Sequence, residues 1–138
     1  MPVPVPPDVL PLLDAAQAAL EGAGLTVYVG GVPGGRWTPP DKFAVLYPDP
    51  GMAVRESLAD KRTDLETTLQ VTCVGGDVVR ALWVAGRVRQ ALAAPLTVEG
   101  RACWPPEDLG GPPVQRDDDV TPPLWYVPVQ YRIRSTPA

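Results

Sequence analysis

The sequence contains no histidine, a single phenylalanine and only two cysteines, Cys73 and Cys103. Without histidine there is no imidazole base, no imidazole metal ligand and no Ser-His or Cys-His nucleophile. Two cysteines without CxxC spacing are too few for a disulfide scaffold. Basic clusters are equally scarce. Lys61-Arg62 is the longest basic run, and 12 basic against 16 acidic residues leave a net charge of −4. Nucleic-acid phosphates and anionic membranes recruit Lys and Arg, so neither is an expected binding partner. No stretch approaches the ~18 apolar residues of a membrane span. The first eight residues lack the basic region and apolar core of a signal peptide. A soluble protein made in the cytoplasm is the expectation.

What is present is enough for a core. The 138 residues are 45% hydrophobic and 20% charged, which fits one folded domain and not a disordered chain. The 19 prolines cluster in 1–11 and 105–137 and are absent from 51–94, so they punctuate the fold. Residues 1–7 read as a proline-rich extended arm and 8–138 as the domain. Asp8 is the expected N-cap of a helix over 8–22, with Val9, Leu13, Ala16 and Leu20 on one face. Residues 25–29 alternate as a strand. Phe43-Ala-Val-Leu-Tyr47 is apolar on both faces, as in a central strand.

Residues 48–64 read as a long polar loop. Leu65, Thr67, Leu69, Val71 and Cys73 then share one face of a strand, with Glu66, Thr68, Gln70 and Thr72 on the other. Asp77 is a second N-cap, followed by Val78, Ala81, Leu82, Ala85, Val88 and Leu92 at helical spacing. Two short strands are expected around the Glu99-Gly100 turn, and 105–123 reads as another long loop. In the last strand Trp125, Val127, Val129, Tyr131 and Ile133 point inward. Pro128 within it predicts an edge position or a bulge. Leu69, Val71, Leu82, Val88, Val129 and Ile133 are the expected core. The fold class is α+β: two helices on one face of a mostly antiparallel sheet.

Motifs with chemistry are weak. Gly30-Gly-Val-Pro-Gly-Gly-Arg36 lacks the GK[ST] ending and the following helix of a phosphate loop, and reads as a connector. Asp117-Asp118-Asp119 lacks the alternating ligands of a calcium loop and reads as solvated. Cys73 reads as a small core hydrophobe. Trp83 sits beside the main stripe of the second helix, with Val79 and Gly86, and fits either a second core layer or a subunit interface. The polar faces of the two clearest strands imply that one side of the sheet is wet. Long polar loops in a domain this small commonly contact something.

The layout resembles the tail-terminator (tail-completion) proteins of long-tailed bacteriophages. The matching features run in order along nearly the whole chain: an N-terminal helix, Val27-Tyr28, Val32-Pro33, the apolar strand Phe43-Ala-Val-Leu46, a charged loop and Leu69-Gln-Val71. Gly76-Asp77 then opens an Ala/Val/Leu helix, followed by Leu96-Thr-Val-Glu-Gly100, an acidic loop and Val129-Gln-Tyr-Arg-Ile-Arg134. The arm at 1–7 and Pro128 depart from the pattern.

The resemblance implies a virion protein of the tail or neck, assembled in the host bacterial cytoplasm, with no catalytic residue, cofactor or metal. It implies a ring, typically a hexamer, that caps the tail tube, stops its polymerisation and offers a docking surface for the head. Its partners would be further copies of itself, the major tail-tube protein and connector proteins, with DNA passing through the lumen unbound. The expected subunit and tube contacts are Arg55, Glu56, Asp60, Lys61, Arg62 and Asp64, together with Trp83 and Asp117, Asp118 and Asp119. Alternatives are another neck component, a tail-tube subunit, a monomeric binding module, or a small hydrolase pairing Glu66 with the acids at 117–119.

Overall fold

The structure is a computed structural model that describes residues 7–54 and 63–138. Most of the proline-rich arm, and the candidate residues Arg55, Glu56, Asp60, Lys61 and Arg62, lie outside the described residues. The elements run α1 (Leu10–Gly22), β1 (Val27–Val29), β2 (Lys42–Pro48), β3 (Met52–Val54), β4 (Asp64–Gly75), α2 (Val78–Ala91), β5 (Arg101–Cys103), β6 (Glu107–Gly110), β7 (Gln115–Asp117) and β8 (Leu124–Pro137). The α+β class holds, with both helices on one face of a single mixed sheet.

Long strands β4 and β8 form its spine, antiparallel from Leu65↔Ser135 to Gly75↔Trp125. β2 and β3 pair with the other edge of β4, and β1 adds in parallel to β2. β5, β6 and β7 line the far edge of β8. Alternation in the spine behaves as its pattern demands. Leu65, Thr67, Leu69, Val71 and Cys73 are all buried under the helices, as are Val127, Val129, Tyr131 and Ile133. Trp125, also expected inward, is only half-buried. The one polar member of the β4 set, Thr67, is satisfied by donating its hydroxyl to Asp49, which also accepts from the Thr68 amide at 3.1 Å.

Several local expectations need correction. Asp8 accepts from the Leu10 amide at 3.0 Å, but the N-cap of α1 is Val9, which has no capping side chain. The buried face of α1 is Leu12, Ala16 and Leu20, with Leu13 half-buried. Asp77 does cap α2, its Oδ1 accepting from Arg80 N at 2.8 Å. The core face of α2, however, is Ala81, Val84 and Val88, continued by Leu92, and Leu82 is 53% exposed. The first two turns of α2 are apolar almost all round, so spacing alone could not select the buried stripe.

The two long loops are not structureless. The first contains β3, and the second contains β6 and β7, all three hydrogen-bonded to the spine. Of the two short strands expected around the Glu99-Gly100 turn, only the second forms, as β5. Pro128 is neither at an edge nor in a bulged part of its own strand. It lies in the middle of β8, opposite Thr72 and level with the break between β6 and β7, where β6 is itself irregular. An extended residue directs its N and C=O to the same side, since hydrogen-bonded pairs exchange both bonds. The Pro128 carbonyl faces Gly111, where a Cβ would stand 2.2 Å from it. Its donor-less nitrogen therefore faces that break and takes no bond from the β4 ladder.

Candidate functional site

The side of the sheet away from the helices carries most of the distinctive chemistry, and it divides into two halves. The polar half lies where β4 begins and β8 ends. Arg132 bridges Glu66 and Glu107, each at 3.5 Å, and Arg134 reaches Asp64 at 3.3 Å. The Arg134 guanidinium also lies 5.0 Å from the Trp104 ring centroid. Asp64, a candidate contact residue, is thus buried and paired inside its own subunit.

The other half corrects the expectation of a wholly wet face. The connector at 30–41 folds over the sheet and delivers Trp37 to Tyr28 and Phe43. The three rings meet edge to face, with centroids 5.4–5.7 Å apart. Such T-shaped contacts satisfy the ring quadrupoles. Phe43, Val45 and Val74 are buried beneath them as a second, smaller core. Beside this cluster runs an open groove of about 390 Å³, walled by Trp37, Tyr47, Leu124 and Tyr126 and floored by the outward face of β2, β4 and β8. Asp117 contributes to its lining, and Asp118 and Asp119 follow it in the chain, both exposed. Asp117 accepts from the Asp119 amide at 3.0 Å, and Asp118 pairs with Arg116 at 2.6 Å.

Trp83 lies on the opposite side of the molecule, on the solvent face of α2, and belongs to neither core cluster. Lys42 Nζ stands 4.1 Å from its ring centroid and the Arg87 guanidinium 4.9 Å from it. The structure therefore scatters the described candidate residues. Asp64 is an internal partner, Trp83 crowns the helix layer, and Asp117 lines the aromatic groove, with Asp118 and Asp119 next in the chain.

Two ionisable groups of the core, Cys73 and Tyr131, are held in their protonated forms. Cys73 is fully buried, and burial pushes its thiol up to about 12, so it is a core thiol and not a thiolate nucleophile. Tyr131 is likewise pushed up to about 12, by burial first and by the Asp108 carboxylate second. Asp108 is occupied by Arg89 at 3.0 Å, and that contact raises the Arg89 guanidinium above its usual range. The proposed pair of Glu66 with the acids at 117–119 does not exist. Glu66 lies opposite Arg134 and Asp117 opposite Leu124, ten positions apart on β8. At ~3.3 Å per strand residue that is roughly 30 Å, against ~5–9.5 Å for glycosidase carboxylates. Among the described residues no group of three or more His, Cys, Asp or Glu is placed to hold a metal ion.

What sequence reasoning missed is the groove. Its signal was the doubly apolar β2 together with Trp37, an isolated aromatic in a Gly/Pro loop, but nothing local says which strand that loop covers.

No protein-family model and no curated protein matches the chain. No helix among the described residues is long and apolar enough to cross a membrane. Among solved structures, a chain of the "Virion of native gene transfer agent (GTA) particle" matches with a TM-score of 0.64 at 15% identity, covering 90% of this chain and 93% of that one. The chain therefore shares its fold, over nearly its whole length, with a component of a virion particle.

Proposed function

We propose that the protein is a structural component of a virion, a tail terminator that assembles as a ring on the end of a tail tube. The observation that carries this reading is the end-to-end likeness to a virion chain, which covers both chains almost completely. The order of sequence features that resembles tail terminators supports it independently. The ring stops tube polymerisation and presents its far side to the neck and head. Its partners are its own copies, the tail-tube protein and connector proteins.

The physics fits a role without catalysis. The Cys73 thiol is buried and protonated, Glu66 is far from the acids at 117–119, and histidine is missing. The net charge of −4 lets DNA pass through a lumen without the Lys and Arg contacts that would retain it. A contact between two different surfaces closes into a ring when its rotation permits, and otherwise runs on as a filament.

Electron micrographs of a strain lacking the gene test the reading. The expected result is heads separated from tubes of uncontrolled length. Uniform tails joined to heads would refute a terminator, and uniform but unjoined tails would assign the chain to a connector.

A further inference from the structure

Two apolar surfaces remain open on opposite sides of the sheet, and they differ in charge. On α2, Val79, Leu82, Trp83 and Gly86 stand at i, i+3, i+4 and i+7 and form one stripe. Val79 is 76% and Trp83 41% exposed, and nothing lies within 4 Å of a Cβ placed at Gly86. Lys42 and Arg87 flank the Trp83 ring, and among the described residues neither has a carboxylate at ion-pair distance. Neighbouring Arg80 is already engaged by Asp41 and Asp77. On the far face Asp117 lines the aromatic groove, and Asp118 and Asp119 follow it in the chain as exposed turn residues. Arg116 offsets Asp118, but no cation among the described residues pairs with Asp117 or Asp119.

We propose that the α2 stripe of one copy seats in the aromatic groove of the next, with Trp83 inserted and Lys42 and Arg87 brought to Asp117 and Asp119. This rests on the ring reading above and names the two surfaces that make the ring. A helix presenting apolar residues at i, i+3, i+4 and i+7 is the shape that apolar grooves accept. Tryptophan is the residue most enriched where binding energy concentrates. The surfaces are different patches on opposite sides of the sheet, so the contact is heterologous and each copy binds one neighbour on each side. The unpaired charges set the register, because like charges brought together across the contact oppose it.

The test is complementation of the gene-deletion strain, scored by joined particles in micrographs, with thermal melts of each purified variant to establish folding. Trp83→Ser should lose joined particles while its melt stays close to wild type. Lys42→Glu with Arg87→Glu should do the same, as should Asp117→Lys with Asp119→Lys. Combining all four reversals should restore joined particles, since every copy then carries the swapped charges on both surfaces. If either reversal leaves assembly intact, or the combination fails to restore it, this assignment of surfaces is overturned while the ring reading stands. A deletion strain with uniform, joined tails overturns the ring reading itself.

Discussion

Gly111 lies so close to Pro128 that a β-carbon on it would stand 2.2 Å from the Pro128 carbonyl oxygen and 3.1 Å from the carbonyl carbon. Both obstacles are backbone of the central strand, which cannot step aside. Gly111→Ala should therefore destabilise the domain by ~1–3 kcal/mol, the usual cost of forced overpacking. Gly86→Ala, in open space within α2, should instead gain ~0.4–1 kcal/mol by restricting the unfolded chain. Urea melts of the two variants measure opposite signs if this packing is right.

The phase of α2 is open to a matched comparison. Leu92 is 1% exposed and Leu82 is 53% exposed, with identical side chains at the two positions. Leu92→Ala should cost ~2–5 kcal/mol through lost burial and a residual cavity. Leu82→Ala should stay within ~0.5 kcal/mol, as surface changes do. Equal costs would mean that the helix is rotated from the arrangement described.

Asp64 and Asp119 were both candidates for intersubunit contact, and the structure separates them. Asp64 is buried and bonded to Arg134 at 3.3 Å. Asp64→Ala should cost ~1–3 kcal/mol by stranding part of that guanidinium's hydrogen bonding. Asp119→Ala, at an exposed loop position, should leave the subunit's thermal midpoint almost unchanged.

Alkaline pH should weaken the fold. Cys73 is raised from 9.0 and Tyr131 from 10.0, each to about 12 in the folded protein. From about pH 9 upward the unfolded chain therefore binds fewer protons than the folded one. Stability is full below that pH and falls as pH climbs toward 12. Burial also raises the half-buried Cys103 from 9.0. Cys73→Ala should therefore make the decline shallower from about pH 9 onward, leaving the contributions of Cys103 and Tyr131. Urea melts across this window check it, and a flat profile would mean that these groups are solvated.

The strands β4 and β8 were legible in the sequence because a strand has only two faces. With Leu69, Val71 and Cys73 on one and Thr68, Gln70 and Thr72 on the other, only one orientation buries apolar surface. The Asp77 cap was legible for a similarly local reason, since a side chain three residues from an orphan amide needs no other element. The helices and their order also follow from local pattern.

Everything that depends on distant partners waited for the tertiary structure. The strands β3, β6 and β7 have little apolar alternation, because what makes them strands is backbone pairing with the long spine and not burial of their own side chains. The register of α2 was settled by which stripe the sheet could cover, leaving Leu82 and Trp83 outside. The aromatic groove exists because the loop carrying Trp37 crosses onto Phe43 and Tyr28, and the acidic hydrolase pair fails because β8 holds its two halves far apart. Side-chain pattern reports which surfaces must be hidden from water. Only the folded chain decides which element hides them, and which surfaces are left open.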